Sequence, residues 1–228
     1  MPESYFSQKT FKFLTALTLN NSRDWFERHK DEYEGLVRGP ALELIRDFAP
    51  VLKRFSPHLL AVDKKVGGSL LRVHRDTRFG ADKTPYKTNI GIQFRHDVGK
   101  DIHAPGLYFH VSPDECFLGS GVWHPDPETL ARIRKRIIEK PKAWTKASAE
   151  TKFRAVFDLA GDSLSRPPRG IDPDHPAIED LKRKDHIAAA TLSVRDVTSP
   201  SLLKTLHDRF SLTKPYFRFL CQALDLQF

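Results

Sequence analysis

Apolar positions recur with a period near 3.6 through the first third of the chain. Phe11, Leu14 and Leu17 fall on one face, with Ser7 placed to cap the helix ahead of them and Phe6 and Phe11 placed to pack across that cap. Asn21 or Ser22 would cap a second helix carrying Trp25, Phe26, Tyr33, Leu36 and Val37 at helical spacing, with Trp25-Phe26 read as helix core. Gly39-Pro40 should break that helix, and Pro40 suits the first turn of a third, whose stripe is Leu42, Ile45, Phe48, Ala49 and Leu52.

The period then falls to two. Leu71 and Val73 alternate with Arg72 and His74; Ile90, Ile92 and Phe94 with Asn89, Gly91, Gln93 and Arg95; Leu107, Phe109 and Val111 with Tyr108 and His110; Cys116, Leu118 and Val122 with Phe117, Gly119, Gly121 and Trp123. Alternation of this kind predicts four short strands in a mainly antiparallel sheet with one buried face. Ser112-Pro113-Asp114 is a turn between the last two. Helix resumes at Asp126-Pro127-Glu128 with Leu130, Ile133 and Ile137 facing inward; residues 161–176 read as a long loop, Ile187–Val194 as a last strand, and Ser199-Pro200 as the start of a helical pair interrupted near Pro215.

These elements predict the α+β class: a mainly antiparallel sheet with N-terminal and C-terminal helices packed on one face. The expected organisation is one domain over residues 1–228, helical over 1–60, sheet and loop over 68–123, helices and a long loop over 126–228. With 39% apolar and 11% aromatic residues the chain can build a core, which excludes a disordered class. Cys116 and Cys221 stand outside any ligand spacing and suit a reducing compartment. Met1-Pro2-Glu3-Ser4 lacks the look of a signal peptide, and no apolar stretch suits a membrane helix, so the expected location is the cytosol, with no membrane partner.

Charge adds a preference for anionic partners, since the net charge is +8. If the Ile/Phe/Leu face of the sheet is buried, the other face displays Arg72, His74, Gln93, Tyr108 and His110 around Gly91, Gly119 and Gly121. That is either a small polar pocket or a face covered by further helices against which the glycines pack. The stretch Arg72–Lys87 holds five Lys/Arg where composition predicts about 2.6. Residue type matters more than enrichment, because guanidinium forks bind phosphate or carboxylate through paired donors.

Three readings of the stretch stand side by side. In the first, Arg72, Arg75, Arg78, Asp82, Lys83, Tyr86, Lys87 and Tyr108 bind a small phosphorylated or carboxylated ligand; Asp76 orients or acts as general base, Asp76 or His110 moves a proton, and Arg75 stabilises charge. In the second, the stretch and the basic helix 128–140, with Arg132, Arg134, Lys135 and Arg136, form a nucleic-acid surface. In the third, Asp76 and Asp82 pair with neighbouring bases to lock a long connection, in a structural or assembly protein without a ligand. His74-x-Asp76 with His110 is a weak metal pattern, and no metal or cofactor is expected. No phosphate loop, dinucleotide fingerprint or nucleophile elbow is present.

The string R-x-x-R-D-x-R-F-x-x-D-K-x-P-Y-K over Arg72–Lys87 resembles the signature of a mostly bacterial family, domain-of-unknown-function family 2461. Asn20-Asn21, Trp25-Phe26, Gly119-x-Gly121-x-Trp123 and Arg169-Gly170 are similar too, so the resemblance covers nearly the whole chain. It implies a shared fold and a shared special site at Arg72, Arg75, Asp76, Arg78, Phe79, Asp82, Lys83 and Tyr86, and it implies no activity.

Overall fold

Helix α1 (Gln8–Leu19) starts where sequence places it: the Ser7 hydroxyl accepts from the Lys9 amide and Thr10 accepts from the Ser7 amide, so two otherwise orphaned N–H groups are satisfied. Ser22, rather than Asn21, caps α2 (Arg23–Arg28), accepting from the Trp25 amide at 3.3 Å. The computed structural model describes residues 4–64, 66–78, 81–98 and 103–228, so Phe79 and Gly80 of the motif and Met1-Pro2-Glu3 of the opening lie outside the described residues.

The expected break at Gly39-Pro40 does not occur. Helix α3 (Lys30–Tyr33) runs through a π turn, Glu34–Arg38, directly into α4 (Gly39–Phe55). The Gly39 amide reaches back to the Glu34 carbonyl, and Pro40 sits at the start of α4, where its missing N–H disturbs nothing. A residue before proline resists helical dihedrals because of its Cβ; Gly39 has none, and a Cβ there would lie 2.9 Å from the Glu34 oxygen. The helical run is interrupted earlier, at His29.

Among the described residues the sheet has six strands, all paired antiparallel: β1 (Leu59–Leu60), β2 (Ile90–His96), β3 (Gly106–Val111), β4 (Cys116–Val122), β5 (Asp158–Ala160) and β6 (His186–Leu192), in spatial order β1-β2-β3-β4-β6-β5. Ser112 closes the β3–β4 turn, its amide donating to Glu115 O at 2.9 Å. The expected strand at Leu71–His74 is instead two isolated bridges, Leu70↔Ile92 and His74↔Tyr86. Their registers differ by two residues, so the pairing is broken by a bulge between them.

Ile90, Ile92, Phe94, Leu107, Phe109, Val111, Leu118 and Val122 form the buried face. Phe48 of α4 packs on Phe94 at 5.1 Å, and Phe6 on Phe109 at 6.4 Å. The C-terminal half adds α5 (Pro127–Glu139), α6 (Pro141–Ser148), α7 (Thr151–Arg154), α8 (Ile178–Leu181), α9 (Val194–Val197), α10 (Leu202–Leu212) and α11 (Lys214–Ala223). Thr213, between the last two, bonds to Ser120 of β4 at 3.0 Å, and Trp144 of α6 packs between His186, Tyr216 and Phe219. N-terminal and C-terminal helices therefore meet the same sheet face, and the chain is of the α+β class. No helix among the described residues is long and apolar enough to cross a membrane.

Candidate functional site

The motif loop begins at the bulge. Leu71 N donates to Gly91 O at 2.9 Å, Lys87 N to Val73 O at 2.7 Å and Arg75 N to Pro85 O at 2.9 Å, so residues 71–75 and 85–91 are zipped together by their backbones. Tyr86 anchors this zipper to the helical layer. Its ring stacks on Phe26 at 4.0 Å, and the Asn21 side chain pairs with both its backbone groups, accepting from the amide at 3.0 Å and donating to the carbonyl at 2.9 Å. The tyrosine expected to offer a hydroxyl to a ligand thus has its ring buried, and burial raises its pKa. Asn21, read as a cap and as part of the family resemblance, supplies the strand-like pairing that Tyr86 would otherwise lack.

Beyond the zipper, most of the motif's charges meet one another. Arg75 donates to Asp82 and to the Thr84 hydroxyl. Asp82 also accepts from the Thr84 amide at 2.9 Å, and this bond, with the Arg75 and Thr84 side chains, holds its pKa down to about 2. Arg78 forks onto Asp76 at 2.9 and 2.7 Å, and that pairing holds the Asp76 carboxyl well below the carboxylate range. A carboxylate so held is a weak base and a good brace. Lys83 donates to the Thr77 carbonyl at 2.8 Å. The role of Thr84 as an arginine acceptor was not legible in sequence, because the loop must first fold back on itself.

Two cations of the motif are left over. Among the described residues neither Arg72 nor Lys87 has a side-chain hydrogen bond or ion pair. Arg72 lies on the shorter limb and is exposed; Lys87 lies on the opposite limb, which carries the two extra residues, and is half-buried. Burial lowers the Lys87 pKa, and the nearby Arg72 charge lowers it further. The two charges are near enough to repel, and Arg72 also acts on the Asp76 carboxylate, whose pKa it helps to lower, without bonding to it.

Tyr108 and His110 lie on the other face of the sheet from the core. Tyr108 Oη lies 3.1 Å from His110 Nδ1, and the imidazole stacks on Phe117 at 4.7 Å. Burial pushes Tyr108 up to about 12 and His110 below its ordinary value, so the pair is neutral near pH 7. The hollow expected above Gly91 is filled: a Cβ there would lie 2.7 Å from Tyr108 Oη and 3.0 Å from Leu71 Cδ1. Gly91 seats the tyrosine. At Gly121, φ is +130° and a Cβ would run into the His186 carbonyl, so this glycine serves close strand approach.

His74, Asp76 and His110 do not converge as metal ligands; among the described residues the group that does is His58, His96 and Asp97. The basic helix is largely spoken for. Arg132 pairs with Asp225 at 2.7 Å, Arg134 donates to the carbonyls of Leu181 and Arg183, Arg136 donates to Gln222, and Lys135 lies 3.8 Å from Glu139.

Comparison with known proteins bears on this loop as a whole. A family model described as "Conserved hypothetical protein (DUF2461)" matches residues 9–219. The chain belongs to this family. The match takes in nearly all of α1, the motif loop, the six strands described here and most of α11. No curated protein matches the chain, and no solved structure does.

Proposed function

We propose that this DUF2461 protein binds a small phosphorylated or carboxylated ligand at Arg72 and Lys87. The observation that carries this reading is the contrast inside one loop. Arg75, Arg78 and Lys83 are held by Asp82, Asp76, Thr84 and a backbone carbonyl, whereas Arg72 and Lys87 stand together without an acceptor among the described residues. An anion between them would relieve their repulsion and favour the charged form of Lys87. The braced residues then act as a scaffold that fixes where the two cations point, as binding sites require. The nucleic-acid reading leans on the α5 arginines, and their engagement with Asp225, Gln222 and backbone carbonyls favours the small anion.

Calorimetric titration with inorganic phosphate and pyrophosphate tests the reading, with Arg72→Ala, Lys87→Ala and, as a control outside the spot, Lys204→Ala. Each charge-assisted bond is worth about 1.5–3 kcal/mol, so each of the first two variants should weaken binding roughly 10- to 100-fold and the third should leave it unchanged. A shallow dependence on salt is expected, because few phosphates are engaged. Unaltered affinity in both loop variants would overturn the proposal.

A further inference from the structure

A second site lies at the far end of β2, where the geometry points to a divalent transition-metal centre of the zinc class built from His58 Nδ1, His96 Nδ1 and the Asp97 carboxylate. One donor atom from each of the three residues lies within 4.8 Å of the other two, and both histidine Nδ1 atoms lie within 3.1 Å of an Asp97 oxygen. The pairing of β1 with β2 puts them there: Leu59 is opposite His96, and the Asp97 amide donates to the His58 carbonyl at 2.7 Å, so the two histidines and the aspartate come from adjacent ends of two hydrogen-bonded segments. The imidazole planes are 7° from parallel, with centroids 5.6 Å apart.

The hydrogen bonds around His96 decide its tautomer. Its Nε2 lies 2.8 Å from the Gln227 carbonyl, which can only accept, so Nε2 carries the proton. The Val98 amide donates to Nδ1 at 3.3 Å, which makes Nδ1 a lone-pair acceptor. Yet Asp97 Oδ1 lies 3.1 Å from that same Nδ1. A metal ion on this lone pair would replace the long Val98 contact and bridge Nδ1 to the Asp97 carboxylate. Asp97's other oxygen lies 2.8 Å from His58 Nδ1.

A metal-bound histidine ordinarily donates its second ring N–H to a carbonyl or carboxylate, which orients the ring and raises its basicity. His96 has this arrangement, and its acceptor is itself anchored. Phe228 packs on Phe55 and Phe217, and Arg218 lies 4.7 Å over the Phe228 ring, so the Gln227 carbonyl is fixed by the residue that follows it. At zinc–nitrogen distances near 2.1 Å, tetrahedral ligand atoms sit about 3.4 Å apart. The separations of 2.8 and 3.1 Å need to open by only a few tenths of an ångström. Imidazole and carboxylate donors suit zinc, cobalt and nickel, and three protein ligands leave a position for water or a small anion. His58 and Asp97 are partly exposed, so an ion can enter.

The experiment titrates Zn²⁺ into the tag-free, chelator-treated full chain by calorimetry and records the visible spectrum with Co²⁺. One equivalent should bind, the Co²⁺ complex should show the intense bands of low coordination, and Zn²⁺ at 100 times its Kd should raise the unfolding equilibrium constant's stabilising factor about 100-fold. His58→Ala and Asp97→Asn change side chains that are not part of the buried core, and each should cost at least 10-fold in affinity. Because His96 is buried, the pair of milder variants carries the test if His96→Gln fails to fold. Absence of Zn²⁺ binding at millimolar concentration, or binding that survives both variants unchanged, would overturn the assignment and leave the cluster as a proton-sharing ion pair.

Discussion

Replacing His186 with phenylalanine should flatten the acid side of the protein's stability curve. His186 is fully buried on β6, its ring edge-on to Trp144 at 5.9 Å, and neither ring nitrogen has a hydrogen-bond partner among the described residues. Burial, reinforced by the charges of Arg183 and Arg134 and opposed by Asp185, lowers its pKa to about 3. In the unfolded chain the same imidazole titrates near the ordinary value of about 6.5. The unfolded state therefore binds a proton between these two values and the folded state does not. Stability is complete above the unfolded pKa and falls with acidification until the folded pKa is reached. One proton is worth about 1.4 kcal/mol per pH unit, so moving from about pH 7.5 to about pH 5 should cost about 2 kcal/mol through this residue alone. Urea unfolding of wild type and His186→Phe at both pH values isolates the contribution, because other titrating groups cancel in the difference. At neutral pH the variant should be close to wild type, since two unpaired buried nitrogens are exchanged for apolar ring atoms of similar shape. Parallel stability curves for the two proteins would refute the reasoning and would mean that the imidazole is hydrated or protonated in the folded state.

Three further outcomes follow from the site and the sheet. Asn21→Leu should destabilise the protein by about 1–3 kcal/mol in denaturant unfolding, because the buried Tyr86 loses the partner of both its backbone groups, and amide exchange at Tyr86 should quicken. Gly121→Ala should cost on the order of 3 kcal/mol or prevent folding, since φ is +130° there and the added carbon meets the His186 backbone rather than a movable side chain; thermal unfolding reads it directly. Phosphate affinity should weaken as pH rises through the lowered pKa of Lys87, at a lower pH than for an ordinary lysine; in Arg72→Ala the remaining binding should persist to higher pH, because the repelling charge is gone.

Local chemistry was readable from the chain where it acts over a few residues. The Ser7 and Asp126 caps, the period-two alternation of β2, β3 and β4, and the Ser112-Pro113-Asp114 turn each depend on neighbours close in sequence, and each stands in the structure. So did the outline of the motif loop, because Arg72–Lys87 concentrates residue types that bond to one another. What the sequence could not apportion was which cation meets which acceptor. Arg75 and Asp82 are seven residues apart and meet only because the 73–75 and 85–87 backbones pair, while Lys87 keeps no acceptor although its composition is no different. The continuous passage through Gly39-Pro40 likewise depended on a π turn, Glu34–Arg38, in which the Gly39 amide reaches the Glu34 carbonyl. His58, His96 and Asp97 carry no spacing signature at all. Sequence alone determined the capped helix starts, the alternation of β2, β3 and β4 and the place of the family's loop; the tertiary structure decided which polar groups satisfy each other, because hydrogen bonds and charges are settled by distance in space and the chain records only order.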